Sequence, residues 1–406
     1  MRTDFQLEKF ISNHITGRDE SLLKQDFQKK DAELQKRING KSVLVIGGAG
    51  TIGSFYIKAI LKFKISKLVV VDINENGLTE LVRDLRSSDE YIIPNSFFTY
   101  PVSYGDKVFR KIFMSQGPFE IVANFAAHKH VRSEKDIFSI EAMIENNVLK
   151  ARKLLDLLVQ FPPEHFFCVS TDKAANPVNI MGASKKLMEE LILAYSEKLP
   201  VVTARFANVA FSNGSLPFGF LERLNKQQAW ACPKGIRRFF VSPQESGELC
   251  LMASIMGESG DIFFPKLDEK KDMISFDKIA VDLLHTLGFE VDICKTEQEA
   301  RKKALLLSEN STSYPVYFFE SNTSGEKPFE EFFTENENLD LKSFINLGVV
   351  KNSRKRPLQE IDEIFEKLHL LFDSKEVTKA KIVEALKIYL PNFNHVETGK
   401  GLDEGM

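Results

Sequence analysis

Val43-Leu44-Val45-Ile46-Gly47-Gly48-Ala49-Gly50-Thr51-Ile52-Gly53 is the stretch whose reading decides the fold. An apolar run, Ser42 to Ile46, meets a glycine cluster and then a helical-looking segment from Phe55 to Phe63, the order strand, turn, helix. Gly47, Gly50 and Gly53 form G-x-x-G-x-x-G, a spacing that departs from G-x-G-x-x-G but meets the same physical demand. Side chains must be absent where the backbone approaches a pyrophosphate, so that amides and the positive end of the following helix, at Thr51 and Ile52, face the charge. A second apolar run, Lys67 to Val71, ends at Asp72, 19 positions after Gly53. An acidic side chain there accepts from the adenosine ribose hydroxyls. It also repels a 2′-phosphate, and the following Ile73, Asn74 and Glu75 bring no arginine to offset that repulsion. The expected cofactor is therefore NAD rather than NADP, held by Gly47, Gly50, Thr51, Ile52, Gly53, Asp72 and Asn74.

Further apolar runs follow at Ile121 to Phe125, Phe166 to Val169 and Val201 to Phe206, with gaps long enough for crossover helices. Runs with no polar alternation suit strands buried on both faces. The spacing predicts an α/β protein with a Rossmann-type, doubly wound parallel sheet over 41–210, to which later elements return. After Asn208 the chain turns rich in Phe, Pro and Gly before a predicted helix from Glu245 to Met256. A smaller α/β substrate lobe is placed at 211–345. Helical extensions flank this core. At 1–40 an amphipathic stretch from Asp19 to Ile38 is open to a role in oligomerisation, and 346–406 reads as two amphipathic helices and a polar tail.

The net charge of -3 argues against a general nucleic-acid surface, so any anion site must be local. Neither a signal peptide nor a membrane span is expected, since no apolar run is long enough. Cys168, Cys232, Cys250 and Cys294 lie far apart without ligand spacing and read as reduced and structural, which fits the cytoplasm. No metal is expected: the cluster His128-Lys129-His130 has diverging neighbours and no carboxylate or thiol at ligand spacing.

The chemistry is expected at Ser170-Thr171-Asp172-Lys173-Ala174-Ala175-Asn176-Pro177-Val178-Asn179-Ile180-Met181-Gly182-Ala183-Ser184-Lys185, because open α/β sheets place ligands at the ends of their strands. In short-chain dehydrogenases a tyrosine stands four residues before a lysine here, one helical turn away, so that the ammonium lowers the phenol's pKa. Lys185 is present, but Met181 holds the tyrosine position, and a thioether transfers no protons. Acid/base work then falls to Thr171, Asp172 and Lys173, or the site is inert. Beyond the next strand, Asn208 is expected to face a substrate diphosphate. Arg237 and Arg238 are read as a diphosphate clamp or base stack, with a solvated basic turn as the alternative.

Taken together, Gly47 to Gly53, Ala126-Ala127-His128-Lys129-His130-Val131, Ser170 to Lys185, Arg205-Phe206-Ala207-Asn208-Val209 and Gly325-Glu326-Lys327-Pro328-Phe329-Glu330-Glu331 resemble the signatures of the CapD-like polysaccharide-biosynthesis proteins, in the family's order. That family belongs to the extended short-chain dehydrogenase/reductases and includes nucleotide-sugar 4,6-dehydratases acting on UDP-N-acetylglucosamine. The resemblance covers roughly residues 40 to 335. It implies oxidation at C4 of the sugar, removal of the C5 proton, expulsion of the C6 hydroxyl and hydride return to C6. Lys173 would be the base and so neutral, Asp172 the acid and so protonated, Thr171 the partner of the C4 oxygen, and Lys185 the holder of the nicotinamide ribose. The Tyr-to-Met variant occurs among family dehydratases, including those that retain configuration at C5, so Met181 does not imply a dead enzyme.

The resemblance further places Ala126, Ala127 and Asn147 at the cofactor, with a helix-surface amide as the alternative for Asn147, and Lys129, His130 and Glu134 at the sugar. Arg132 replaces a proline usual in the family, and Thr323 and Ser324 stand where members carry an arginine, so the nucleobase stays open. Two other functions remain in play: a nucleotide-sugar 4- or 5-epimerase, and a non-catalytic NAD or nucleotide-sugar binding protein. The superfamily's habits imply a homodimer or higher homo-oligomer, paired through helices that include the one beginning at Met181.

Overall fold

Strand β1 (Ser42–Ile46) is buried along its whole length, as a strand covered on both faces must be. In the computed structural model, which describes residues 5–320 and 330–396, it is followed by β2 (Lys67–Asp72), β3 (Ser96–Pro101), β4 (Ile121–Asn124), β5 (His165–Val169) and β6 (Val201–Ala204). All six pair in parallel. The chain then leaves the sheet for β7 (Asn208–Val209), β8 (Trp230–Pro233) and β9 (Arg237–Val241) and returns as β10 (Ile262–Pro265). It departs again through β11 (Met273–Ser275), β12 (Glu290–Cys294) and β13 (Ser313–Phe319), and comes back as β14 (Asn338–Asp340) and β15 (Leu347–Lys351). The resulting order is β14-β15-β10-β6-β5-β4-β1-β2-β3, with β15 antiparallel to both its neighbours. Two three-stranded sheets, β11-β9-β7 and β12-β13-β8, build the smaller lobe.

The expected boundary between 345 and 346 falls inside an antiparallel pair. Leu347, Val349 and Val350 are buried and close the open edge of β10, whose backbone groups need a partner, so 346–351 completes the sheet instead of starting a helical extension.

The amino-terminal segment, left open to oligomerisation by its sequence, packs into the chain's own cores. Its helix, Lys24–Ile38, packs Leu34 and Ile38, with Leu23 just before it, into the chain's own core beside Tyr56, Ile57 and Ile60. Buried Asp26 accepts from the amides of Ile345 (2.6 Å) and Asn346 (2.8 Å), anchoring the entry to β15. Earlier residues Phe10, Ile11 and Ile15 lie in the core of the smaller lobe with Phe220, Trp230 and Leu283. Between the two, the Arg18 guanidinium makes a two-pronged bond to Glu245 (both 2.8 Å) and reaches Asp272 at 3.2 Å. Glu245 is itself the capping-box residue of helix Pro243–Met256. Arg18→Ala leaves that buried carboxylate without its cation and is expected to cost about 3 kcal/mol, read as a lower urea midpoint with an unchanged m-value.

At the other end, helices Leu358–Phe372 and Lys379–Tyr389 lay Ile361, Ile364, Phe365, Leu368, Ile382 and Leu386 into one core with Leu154, Leu155, Leu187 and Leu191. Arg356 bonds Glu190 at 2.5 Å, and Arg152 pairs with Asp362. Helix Ile180–Ala194, which the superfamily's habits place at a subunit interface, is covered by the chain's own carboxy-terminal helices. No helix among the described residues is long and apolar enough to cross a membrane. All four cysteines are free and buried.

Candidate active site

β1 has β2 on one side and β4 on the other, so connections run opposite ways from it and open a crevice at the carboxyl ends of β1 and β4. Gly47 stands there with φ +76°, and a Cβ on it would lie 2.5 Å from the Ala126 nitrogen. The Phe125–Ala126 main chain therefore crosses the turn, leading into Ala127. Gly50 differs: a Cβ there would meet only the Gly47 carbonyl oxygen, at 3.4 Å, so the protein's own packing does not demand a glycine. Room in front of helix Thr51–Ile60 does, and that helix starts without a side-chain cap, leaving its first amides, including those of Thr51, Ile52 and Gly53, for an anion. The cradle fits a dinucleotide pyrophosphate. Asp72 spans the turn, accepting from Ala49 N and Asn74 N at 2.9 Å each, while the Asn74 side chain caps helix Glu75–Arg86 through Gly77 N.

At the end of β5 the backbone turns sharply into a 3-10 segment, Asp172–Ala174, which gathers three side chains at one point. Asp172 Oδ1 accepts from the Thr171 hydroxyl (2.8 Å) and from the Lys173 ammonium (3.1 Å). Glu330, buried and brought from far along the chain, sets its Oε1 3.8 Å from the same Lys173 Nζ. Burial and Arg238 pull the ammonium down, but Asp172 and Glu330 outweigh them, and Lys173 is held above the ordinary lysine value of 10.5. The expectation of a neutral Lys173 is thus corrected for this arrangement: two flanking carboxylates keep the proton on the amine.

Met181 and Lys185 lie one turn apart on helix Ile180–Ala194, both buried. Lys185 Nζ donates to the Val169 carbonyl at 3.0 Å, at the end of β5 and just ahead of the Thr171–Lys173 cluster. Burial lowers its pKa, with Cys168 and Glu189 offsetting part. Asn147, 1% exposed, is no surface amide. It accepts from His128 N (2.8 Å) and donates to His128 O (2.9 Å) and to Ser184 Oγ (3.0 Å), clamping the 126–130 segment to helix Ile180–Ala194.

Glu134 was expected at the sugar. Its carboxylate is instead committed to the start of that helix, accepting from Met181 N at 3.1 Å and facing His395 Nε2 at 3.4 Å. Lys129 is exposed, and the His130 ring lies over Gly214, where a Cβ would be 2.9 Å from it. Among the described residues no group of His, Cys, Asp and Glu is arranged to hold a metal.

Asn208 opens β7 with its Nδ2 buried and unpartnered among the described residues, a donor available to a ligand. The paired clamp expected of Arg237 and Arg238 does not form. Successive strand residues point to opposite faces, so exposed Arg237 bonds the carbonyls of Glu269 and Met273 while buried Arg238 turns inward, near enough to Lys173 to depress its pKa. Thr323, Ser324 and the motif residues 325–329 lie outside the described residues. The motif's last member, Glu331, accepts from Asn176 at 2.8 Å.

Several residues of the site carry no local sequence signal. Fully buried Arg205 and Glu189 form a two-pronged pair (3.0 and 2.9 Å), and Glu189 also accepts from Ser170 at 2.7 Å, directly before Thr171. Asn213 N donates to Thr51 Oγ1 (3.0 Å), tying the lobe to the phosphate turn. Glu330 and His395 arrive from more than 150 positions along the chain. Arg205 and Glu330 stand inside quoted motifs, the one kind of clue available for any of them.

A doubly wound sheet, a glycine cradle at its switch point and a helix carrying Lys185 beside the β5 edge define an extended short-chain dehydrogenase/reductase. The chain belongs to the polysaccharide biosynthesis protein family, whose model matches residues 43–351. It is 28% identical over 317 residues to an uncharacterised membrane protein of Methanocaldococcus jannaschii, covering 76% of this chain and 85% of that one. It is 27% identical to the probable polysaccharide biosynthesis protein EpsC of Bacillus subtilis, over 75% of this chain but only 47% of that relative's length. With the inverting UDP-N-acetylglucosamine 4,6-dehydratase of Campylobacter jejuni it shares 26% identity, over 61% of this chain and 74% of that enzyme. The solved structure of Pen from Bacillus thuringiensis superposes with a TM-score of 0.61 at 19% identity, covering 87% of this chain and 98% of Pen, a likeness of fold.

Proposed function

We propose that this chain is an NAD-dependent nucleotide-sugar 4,6-dehydratase, converting UDP-N-acetylglucosamine to a UDP-4-keto-6-deoxy-N-acetylhexosamine with retention at C5, in surface-glycan biosynthesis. Family membership and the dehydratase relative support the class. The single observation that carries the reaction is the Asp172–Lys173 pair, 3.1 Å apart at the end of β5, where Met181 leaves no phenol to move protons. An epimerase needs ketone chemistry alone, whereas a dehydratase must also expel the C6 hydroxyl, and an acid beside a base serves that purpose.

The glycine cradle and Asp72 would hold NAD, whose chemistry when bound is to accept a hydride from C4 and return it at C6. Thr171 bonds the C4 oxygen. As C4 is oxidised, the proton of its hydroxyl leaves through the Thr171 hydroxyl to solvent. Lys173 takes the C5 proton, and Asp172 protonates the C6 hydroxyl so that it departs as water. Lys173 returns a proton to C5 as the hydride reaches C6, and Asp172 regains its proton from solvent. The required neutral amine and protonated carboxyl form a tautomer of the ion pair: one proton crosses the 3.1 Å hydrogen bond and none is exchanged with water. Covering the pair with a sugar penalises the two charges and favours that tautomer. Asn208 and Arg238 are assigned to the diphosphate, and Lys129 and His130 to the sugar side.

The test is to incubate the protein with UDP-N-acetylglucosamine in deuterated water and follow the nucleotide sugar by mass spectrometry and proton NMR. Loss of one water with deuterium at C5 is expected, and the C5 coupling reports retention. NAD binding with no deuterium in any UDP-, GDP- or dTDP-linked sugar would overturn the reading in favour of a non-catalytic binding protein.

A further inference from the structure

The segment Pro177-Val178-Asn179-Ile180-Met181 leads into the catalytic helix, and three contacts hold it, one from its own Asn179 and two from other parts of the chain. Asn179 caps the helix through Gly182 N at 2.7 Å. Glu134, from the turn after β4, satisfies Met181 N from outside the helix, with its charge at the positive end of the dipole. The third hold comes from the far end of the chain. Asn394 N donates to Pro177 O (3.2 Å) and Val396 N to Val178 O (3.0 Å), so residues 394–396 lie against the lead-in. His395, between those two donors, sets Nε2 3.4 Å from the second oxygen of Glu134, each side chain 7% exposed. Lys379 Nζ approaches the same oxygen at 4.0 Å, and Phe393 is buried with its ring edge-on to the His395 imidazole.

We propose that the carboxy-terminal segment is a working part of the active site, with His395 as a positioning residue that acts through Glu134 on the start of the catalytic helix. A tyrosine at position 181 would carry a hydroxyl able to fix its own place by hydrogen bonding. Methionine is flexible and a weak acceptor, so its placement, and that of Lys185 one turn on, falls to the main chain. That main chain is held by Met181 N on Glu134, and Glu134 by His395. The packing of the last two helices over helix Ile180–Ala194 delivers the histidine. This inference rests on the dehydratase reading for its kinetic consequence and on geometry alone for its structural one.

The experiment compares His395→Ala and His395→Gln with the wild type by kinetics, melting temperature and hydrogen exchange of the peptide 177–184. His395→Ala is expected to lower kcat about tenfold, as a small misplacement of reacting groups does, with KM for the nucleotide sugar nearly unchanged. Exchange of 177–184 should quicken, while the global melting temperature hardly moves. His395→Gln, whose amide still donates to Glu134, should recover most of both. Wild-type kcat and wild-type exchange in the alanine variant would overturn the proposal, as would a glutamine variant no better than alanine. Should the alanine variant fail to fold, the glutamine variant decides: near-wild-type exchange and kcat support the proposal, and exchange as fast as in an unstructured peptide overturns it. Quickened exchange in His395→Ala, with the wild type inert toward every nucleotide sugar, would uphold the positioning and sink the dehydratase reading.

Discussion

Lys173→Ala is expected to lower turnover of UDP-N-acetylglucosamine about 10^3-fold while leaving NAD affinity unchanged, because it removes the proposed C5 base without touching the glycine cradle. Asp172→Asn should lose nearly as much: the amide keeps the shape but cannot protonate the C6 hydroxyl. The pH profile carries the sharper information. Lys173 is held above its ordinary 10.5 by Asp172 and Glu330, against burial and Arg238. An isolated amine acting as base would make kcat/KM rise with pH up to that value, since only the deprotonated fraction works. A pair whose internal tautomer is the working form needs its proton kept, so kcat/KM should be flat from neutral pH upward and fall only above 10.5. Glu330→Gln removes one of the carboxylates that raise Lys173 and should bring the alkaline limb down. A rate that climbs steadily through the alkaline range would show Lys173 working alone, and full turnover in Lys173→Ala would remove it from the mechanism.

The second large effect is on stability. Glu189 is fully buried, and although burial pushes its carboxyl up, the Arg205 guanidinium beside it, with Lys186 and Ser170, holds it at about 2 against an ordinary 4.5. A depressed folded-state value means the pair contributes stability that is fully present above 4.5 and is lost as pH falls through that range toward 2. Glu189→Gln is expected to cost about 3 kcal/mol at neutral pH, because Arg205, 0% exposed, then lacks its main counter-charge. Glu337, bonded to Arg205 by both oxygens at 2.8 Å, limits the loss. Urea unfolding at pH 7 and again at acid pH checks both parts: the variant should unfold earlier at neutrality and show a shallower decline on acidification. Equal urea midpoints for variant and wild type at pH 7 would sink the argument. Since Ser170 Oγ bonds Glu189 and Thr171 follows it, the same variant should also loosen the catalytic turn.

What the sequence determined by itself is whatever depends on neighbours in the chain. The phosphate turn is legible because its glycines, strand and helix lie within some twenty residues and serve one backbone path. Asp72 is legible because it ends a strand at a countable distance, and Thr171-Asp172-Lys173 because a hydroxyl, a carboxyl and an amine follow one buried run. Amphipathic stretches at both ends were equally legible, but periodicity says only that a face is buried and never against what. Only the tertiary structure could decide that the amino-terminal helix closes on the sheet's own core, or that the carboxy-terminal pair covers the helix expected to bind another subunit. The charge on Lys173 is of the same kind. Against burial, Asp172 beside it raises its pKa, but Glu330 from 157 positions away and Arg238 also act on it, and Coulomb energy depends on separation in space, which strand order and chain return determine. Strand alternation likewise split Arg237 from Arg238, and the return of the chain past Pro177 brought His395 to Glu134. Local sequence supplied the chemical groups, and long-range packing decided which of them meet and in what charge state.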